Sequence, residues 1–457
     1  MMNLTVCILA AGQGKRMHSD RPKVLHEIGG KPLVGHVIDT ARALSTHDPI
    51  VVYGHGGDQL QAAFADSSVI WIEQRDQLGT GHAVGQALEA IPANGMTLIL
   101  YGDVPLLRAE TLERLVKEAA DGSFGLLTVN LDDPAGYGRI VRDGAGNVCR
   151  IVEHKDANAE ELAIREINTG IMAINSADLH RWIPALDNSN AQGEYYLTDC
   201  VAAAVADGVR IVSVLAASET EVTGVNNRLQ LAALERCYQR ECADRLMERG
   251  VMLRDPDRFD VRGSLQCGRD VEIDINAVFI GDVTLGDRVR VGPNCVIENA
   301  VVGNDVEFLP NCVIESATIG DGSRIGPFAR VRPETVLGRS VHVGNFVEVK
   351  KSHIDDGSKV NHLSYVGDSE IGMNVNVGAG TITCNYDGAF KHKTVIEDDA
   401  FIGSDTQLVA PVTIGRGATV GAGTTVTDDV GADELVISRV KQKTISGWKR
   451  PRKNKSG

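Results

Sequence analysis

No two of the nine cysteines in this 457-residue chain are spaced Cys-x-x-Cys; they are scattered from Cys7 to Cys384. An odd, unpatterned set excludes a disulfide framework or a structural zinc site and reads as free thiols in a reducing compartment. No uninterrupted apolar run reaches the roughly 18 residues of a membrane span. The opening MMNLTVCILAAGQGKR has an apolar run with no basic segment ahead of it, so it does not read as a signal peptide, and the expected location is the cytoplasm. Excess positive charge is also missing: the formal net charge is −15, which argues against a general binder of nucleic acid or anionic membranes. One local exception is the tail carrying Lys449, Arg450, Arg452, Lys453 and Lys455, which is either a solubilising tail or a contact to a phosphate-rich ligand. What is present is ordinary for a soluble globular protein, with 43% apolar and 23% charged residues. The length suits about three domains of roughly 150 residues.

Three segments differ in period. From Leu4 to about Val225, strand-like runs (Val6–Ala10, Ile50–Tyr53, Val69–Ile72, Thr97–Tyr101, Phe124–Val129) alternate with amphipathic stretches such as Leu33–Leu44 and Glu110–Ala119. That alternation predicts an α/β, Rossmann-like domain with a parallel sheet covered on both faces and binding loops at the strands' C-terminal ends. Between Asn227 and Gly250, the residues Leu231, Leu234, Tyr238, Cys242 and Leu246 recur every three or four positions, which predicts one long linker helix. Beyond it the period is six: Leu285, Val291, Ile297; then Ile319, Ile325, Val331, Leu337, Val343, Val349; then Ile396, Ile402, Leu408, Ile414, Val420, Val426. Neither helix nor ordinary strand has that period. A hexapeptide repeat does, each unit forming one short face of a parallel β-helix. The predicted domains are residues 1–228, a linker helix at 229–249, and a β-helix with its basic tail at 250–457. The phase slips by one residue between Val349 and Ile354 and between Val366 and Ile371, and Thr383–Thr394 interrupts it with a loop. Such breaks are where function concentrates.

The first strand runs into Leu9-Ala10-Ala11-Gly12-Gln13-Gly14-Lys15-Arg16-Met17, followed by Pro22-Lys23. Glycines 12 and 14 allow backbone N–H groups to approach a polyphosphate, and Arg16 and Lys23 bring positive charge to it. There is no third glycine for a dinucleotide fingerprint and no GK[ST] for a P-loop. Gln74, Leu78, Gly79 and Thr80 suit hydrogen bonding to a flat base and its ribose. Tyr101-Gly102-Asp103 ends an apolar strand at the rim where such sheets bind ligands. Asp103 is either a helix cap or, with Asn226, a source of hard oxygens for Mg²⁺.

In the third segment His362 lies where the phase has slipped, followed by Tyr365 and accompanied by Arg332, Lys350, Asn376 and Asn385-Tyr386. A near-neutral imidazole suits removal of a proton from an attacking amine. Arg332 and Lys350 suit a sugar phosphate, Arg as a planar fork and Lys as a point charge. Ser404 and the small-residue turns at Ala379 and Ala422 allow close approach of a pantetheine arm, and Arg439 suits the coenzyme's phosphates.

The LAAGxGxRM…PK string resembles the signature of sugar nucleotidyltransferases. With GEYYLTD, RPETVLG, VGNFVEVKKS, GAGTITCNYDG and FIGSDTQLVAPV, nearly the whole chain resembles the bacterial bifunctional N-acetylglucosamine-1-phosphate uridylyltransferase/glucosamine-1-phosphate acetyltransferase family. Lys15 stands where the family pattern has Thr. The resemblance implies a left-handed prism, a homotrimer with acetyl-transfer sites between neighbouring prisms, and Mg²⁺. The implied substrates are UTP, acetyl-CoA, glucosamine 1-phosphate and N-acetylglucosamine 1-phosphate. It assigns Leu9, Ala10, Ala11, Gly12, Lys23, Gln74, Gly79, Thr80, Tyr101, Gly102, Asp103 and Asn226 to the UDP-sugar, with Gly138, Glu153 and Asn168 on the acetylated sugar itself. Arg16 and Lys23 serve uridylyl transfer, and Asp103 and Asn226 the metal. His362 becomes the general base, with Arg332, Lys350, Tyr365 and Asn376 on the acceptor. Ala379, Asn385, Tyr386, Ser404, Ala422 and Arg439 fall to acetyl-CoA. Two rivals remain at this point: a single-activity sugar-nucleotide pyrophosphorylase whose β-helix only assembles subunits, and a regulatory binding protein without turnover.

Overall fold

The run Leu4–Ala10 forms a strand (β1) buried at every position, as a strand is when both faces of its sheet are covered. Its side chains alternate between two cores: Leu4, Val6, Ile8 and Ala10 enter one, Cys7 and Leu9 the other. In this computed structural model, which describes residues 3–451, the tail residues Arg452, Lys453 and Lys455 lie outside the described part. Helix Leu33–Leu44 packs Val34, Val37, Ile38 and Ala41 on the first core. Helix Thr80–Ala87 packs Ala83, Val84 and Ala87 on the second.

The remaining strands of its sheet are β2 (Ile50–Tyr53), β3 (Ile70–Glu73), β4 (Met96–Tyr101), β5 (Phe124–Asn130), β6 (Arg139–Arg142), β7 (Val148–Val152), β8 (Glu166–Asn175) and β9 (Ile211–Leu215). They lie in the order β9-β5-β8-β4-β1-β2-β3, with β6 joining β8 and β7 joining β6. The sheet is mixed rather than all parallel, which corrects the expectation from sequence. β8 runs antiparallel to both β4 and β5. It is reached through the β6–β7 hairpin instead of a helical crossover, so nothing enforces a parallel direction. From β1 the chain runs outward through β2 and β3, then returns to β4 on the other side of β1. The crevice between the C-terminal ends of β1 and β4 is therefore the topological switch point, where open α/β sheets take their ligands.

One helix spans Arg228–Glu248, and Gly250 follows at φ +94°, a conformation that favours glycine as a stop. Leu231, Leu234 and Tyr238 pack with Met17, Ile28 and Leu33, while Ala243 and Leu246 belong to the core of the next unit. The chain divides into two compact units within this helix, after Glu241. Among the described residues no helix is long and apolar enough to cross a membrane.

In the second unit the period-six positions stack into interior columns of a left-handed parallel β-helix. One column runs Val291, Phe308, Ile325, Val343, Val360, Val377; another runs Leu285, Val302, Ile319, Leu337, Ile354, Ile371. A third includes Phe279, Ile297, Ile314, Val331, Val349 and Val366. All are buried. Corners turn through left-handed residues. At one of them Asn276, Asn294 and Asn311, which tolerate that region, give way to Phe328, Phe346 and Leu363 at φ +55°, +55° and +49°. Bulky residues are genuine outliers there. These three are at least half exposed, and the two rings stack at 5.4 Å between centroids.

Candidate functional sites

A cleft of about 290 Å³ opens at the switch point, lined by Leu9, Ala10, Ala11 and Gly12 on one side and Tyr101 and Asp103 on the other. Lys23, Gln74, Gly79 and Thr80 also line it. A side chain at Gly12 would meet nothing, whereas one at Gly14 (φ +61°) would come within 2.6 Å of the Lys23 β-carbon. Gly14 therefore serves the close approach of Lys23, and Gly12 keeps the cleft floor open. Gln74 is buried; its amide nitrogen donates to the carbonyl of Gly79 at 3.1 Å and lies 3.0 Å from His82 Nδ1, which leaves its oxygen for other partners. Leu78 lines a neighbouring groove instead, with Gln13 and His55. Gly102 lies behind the cleft, where a side chain would press on Ala10 at 3.1 Å. Arg16 is exposed on the short turn Lys15–Met17 and is not part of the cleft lining.

Lys23 Nζ lies 2.5 Å from Asp103 Oδ2 and 3.3 Å from Asn226 Oδ1. A carboxylate and an amide oxygen from distant chain segments thus converge on one cation. This donor set fits Mg²⁺, which prefers hard oxygens and takes few from protein when phosphates are present. Among the described residues no group of three or more His, Cys, Asp or Glu offers a fuller cage.

Gly138, Glu153 and Asn168 come together next to the cleft. The Asn168 N–H donates to the Gly138 carbonyl at 2.9 Å, and a β-carbon on Gly138 would lie 3.2 Å from Glu153 Oε1. Tyr101 joins cleft and trio: its ring packs on Gly170 (φ +83°), whose N–H donates to Asn168 Oδ1 at 2.9 Å. Burial raises the Glu153 carboxyl above its ordinary range. Burial, then the charges of Asp103 and Glu153, raise the Tyr101 phenol.

In the β-helix, His362 is exposed and its Nδ1 lies 2.8 Å from Asn345 Oδ1. Tyr365 and Asn385 meet at 3.4 Å, with the Asn385 amide donating 2.5 Å to Asp368. Arg332 pairs with Glu348 at 2.8 Å while its Nε is buried without a protein partner. Lys391 lies against Lys350, and this like-charged neighbour holds the Lys350 ammonium below its ordinary value. Arg332, Lys350 and Tyr365 share one face of the prism. Asn376 is on another, on the strand paired with Lys359–His362. The two groups flank the corner carrying Leu363.

From His362 a vertical line descends coil by coil. Gly380 N–H bonds to the His362 carbonyl, Asp405 N–H to that of Ala379, and Gly423 N–H to that of Ser404. Arg439 then donates to the Ala422 carbonyl at 3.2 Å. His362, Ala379, Ser404 and Ala422 thus occupy one corner of four successive coils, about 4.8 Å apart per step, with Arg439 at the foot. Tyr386 stands exposed on the hairpin that follows Asn385, its hydroxyl donating to the Gly388 carbonyl at 2.6 Å.

Comparison with known proteins places the chain in a family. Residues 6–152 match the MobA-like NTP transferase domain, 261–354 the GMPPB C-terminal domain, and 393–428 the bacterial transferase hexapeptide with six repeats. The bifunctional protein GlmU of Methylococcus capsulatus is 60% identical over 453 residues, covering 99% of this chain and 98% of that protein. Those of Cupriavidus pinatubonensis and Nitrosospira multiformis are 58% and 57% identical, covering 98% and 99% of this chain and 99% and 98% of theirs. The chain belongs to the GlmU family.

Several residues of this GlmU-family chain carry little signal in the sequence. Gln77 lines the cleft and donates 2.7 Å to the Ala11 carbonyl; only its spacing from Gln74 marks it. Glu194 also lines the cleft, and its string GEYYLTD was the available signal. Lys391 reaches Lys350 because the inserted loop is a hairpin, with Tyr386 bridged to Lys391 and His392 N–H returning to the Asn385 carbonyl. Serine hydroxyls brace the corners at both phase slips. Ser352 Oγ donates to the Lys350 carbonyl at 2.8 Å, and Ser369 Oγ to that of Gly367 at 2.9 Å. Each bond spans a left-handed residue, Lys351 or Asp368, just as Ser364 Oγ donates to the His362 carbonyl across Leu363 on a six-residue step, so the serines brace these corners without setting their length. Both shortened corners border the cationic cluster.

Proposed function

We propose that the C-terminal unit of this GlmU-family enzyme acetylates glucosamine 1-phosphate from acetyl-CoA, and that the N-terminal unit joins UTP to the resulting N-acetylglucosamine 1-phosphate with release of pyrophosphate. The observation that carries this reading is the line of corners from His362 to Arg439. It gives an extended thioester arm a groove of small residues, with a base at one end and a cation at the other. At its head, His362 takes the proton as the sugar amine attacks the thioester carbonyl; the C–N bond forms, the C–S bond breaks, and the thiolate leaves. Arg332, Lys350 and Lys391 hold the sugar phosphate.

In the N-terminal cleft the sugar 1-phosphate is itself the nucleophile, so alignment and charge neutralisation are the main tasks. Lys23 inside the cleft, and Arg16 from the exposed turn outside its lining, supply positive charge to the triphosphate, and Gly138, Glu153 and Asn168 seat the sugar. Asp103 and Asn226 would hold Mg²⁺, which when bound neutralises charge on the reacting phosphates. Membership of a family of bifunctional proteins, at 57–60% identity over nearly the whole chain, argues against a binding protein without turnover. A bifunctional family leaves no room for a purely structural β-helix.

The working assembly is a homotrimer in the cytoplasm, where its nine thiols stay reduced. The acceptor residues are split across a corner whose Phe328, Phe346 and Leu363 are exposed and backbone-strained, and a neighbouring prism would cover them. Phe346→Asp should therefore lower trimer content and acetyl transfer together in light scattering and thiol assays; a fully active monomer would refute shared sites. The reaction itself is tested with glucosamine 1-phosphate, acetyl-CoA, UTP and Mg²⁺, reading thiol and pyrophosphate separately. Without UTP, thiol should still appear. Without acetyl-CoA, pyrophosphate should appear only when N-acetylglucosamine 1-phosphate is supplied, and any other pattern sinks the assignment.

A further inference from the structure

We infer that Arg139 is a positioning residue for the sugar phosphate in the N-terminal unit, an inference that rests on Gly138, Glu153 and Asn168 being the sugar's seat. Arg139 is 2% exposed, the largest fully buried side chain among the described residues. One of its terminal nitrogens donates to the Tyr137 carbonyl, the other lies 3.4 Å from His154 Nδ1, and its Nε has no partner. Neither partner is a carboxylate. Guanidinium only donates, so His154 Nδ1 is the acceptor. A buried cation answered by a carbonyl and an imidazole is a costly placement, and an aliphatic side chain would fill the same space at less expense to the fold.

The strand register shows what the charge is placed to do. Arg139 on β6 is paired with Val152 on β7 and Ile167 on β8. The adjacent rung across these three strands is Gly138, Glu153 and Asn168. Arg139 grips the residue before Gly138 and the residue after Glu153. One planar fork therefore brackets the rung from behind and fixes the spacing of two strands whose residues face the sugar. A lysine keeps the charge but, with one ammonium, loses the fixed fork.

The test is steady-state pyrophosphate release by the full-length protein for Arg139→Lys, Arg139→Met and, as reference, Glu153→Gln. Both Arg139 variants should raise KM for N-acetylglucosamine 1-phosphate by about tenfold or more, with KM for UTP within about twofold of the parent. Thiol release in the acetyl-transfer assay should be unchanged, which shows the C-terminal unit to be intact, and the parent-like KM for UTP shows the N-terminal unit to be folded. If Arg139→Met does not fold, Arg139→Lys carries the comparison. An unchanged sugar-phosphate KM in a folded Arg139 variant, with Glu153→Gln raising it, overturns the inference alone. Equal rises in both KM values also overturn it, since that is general disorder of the unit. If Glu153→Gln likewise leaves the sugar-phosphate KM unmoved, the seat itself is misassigned and the inference falls with it.

Discussion

His362 and Asn345 are ladder partners on successive coils, and the histidine's Nδ1 lies 2.8 Å from the asparagine's Oδ1. An amide oxygen only accepts, so Nδ1 carries the hydrogen and the Nε2 lone pair is left for the substrate amine.

Replacing His362 by Ala should lower acetyl transfer by about 10²–10⁴-fold, the usual contribution of a positioned base. Raising the pH should restore part of it, because more substrate amine is then neutral unaided. Asn345→Ala keeps the base but frees its ring, and about a tenfold loss is expected. Pyrophosphate release from supplied N-acetylglucosamine 1-phosphate should be unaffected in both. Loss of both activities in a folded variant would remove His362 from the role of base.

Asp103→Ala should abolish most uridylyl transfer while thiol release continues. The expected signature in a Mg²⁺ titration is a half-saturating concentration moved upward, since one of two protein oxygens is gone. A parent-like titration curve would make Asp103 a structural partner of Lys23 only.

Lys391→Ala should raise KM for glucosamine 1-phosphate about tenfold with little change in KM for acetyl-CoA, because one of three converging cations is lost. Thiol release at varied concentrations of each substrate decides this. A shift confined to acetyl-CoA would place the hairpin on the coenzyme instead.

Burial holds the folded Glu153 carboxyl above its ordinary 4.5. Below pH 4.5 both folded and unfolded chains are protonated there, and the group costs nothing. Above the raised folded value both are ionised, and the folded state bears the whole penalty. Glu153→Gln should therefore unfold at a higher temperature than the parent near pH 7, with the difference fading as pH falls toward 4.5. A difference independent of pH would show that the carboxyl is not strained by its burial.

Much of this was legible in the sequence because it depends on period. Six-residue spacing fixes which side chains face the β-helix axis, and helix Leu33–Leu44 shows at its predicted limits. The motif after β1 fell at the switch point because strand ends and glycines are local signals. Pairing across the chain was not legible. The direction of β8 follows from a hairpin connection, and Lys391 gains its place only when the loop folds back on Asn385. Asn345 sits seventeen positions before His362 and meets it through coil register alone. The shortened corners were visible as phase slips, but the serine hydroxyls that brace them lie inside the prism, where sequence shows only a small polar residue.

The coil register has a mechanical consequence. Each coil bonds to the coil before and the coil after, so tension applied at the C-terminal end peels the rod one coil at a time instead of shearing it whole. Ordinary coils of 17 or 18 residues, such as Val349 to Val366 or Ile402 to Val420, release on the order of 60 Å of extended chain each. Between Ile371 and Ile396 the repeat is 25 residues, because it contains the Asn385–His392 hairpin. That coil releases on the order of 85 Å, so the longest step in the peeling record falls where Lys391 is delivered to the sugar phosphate.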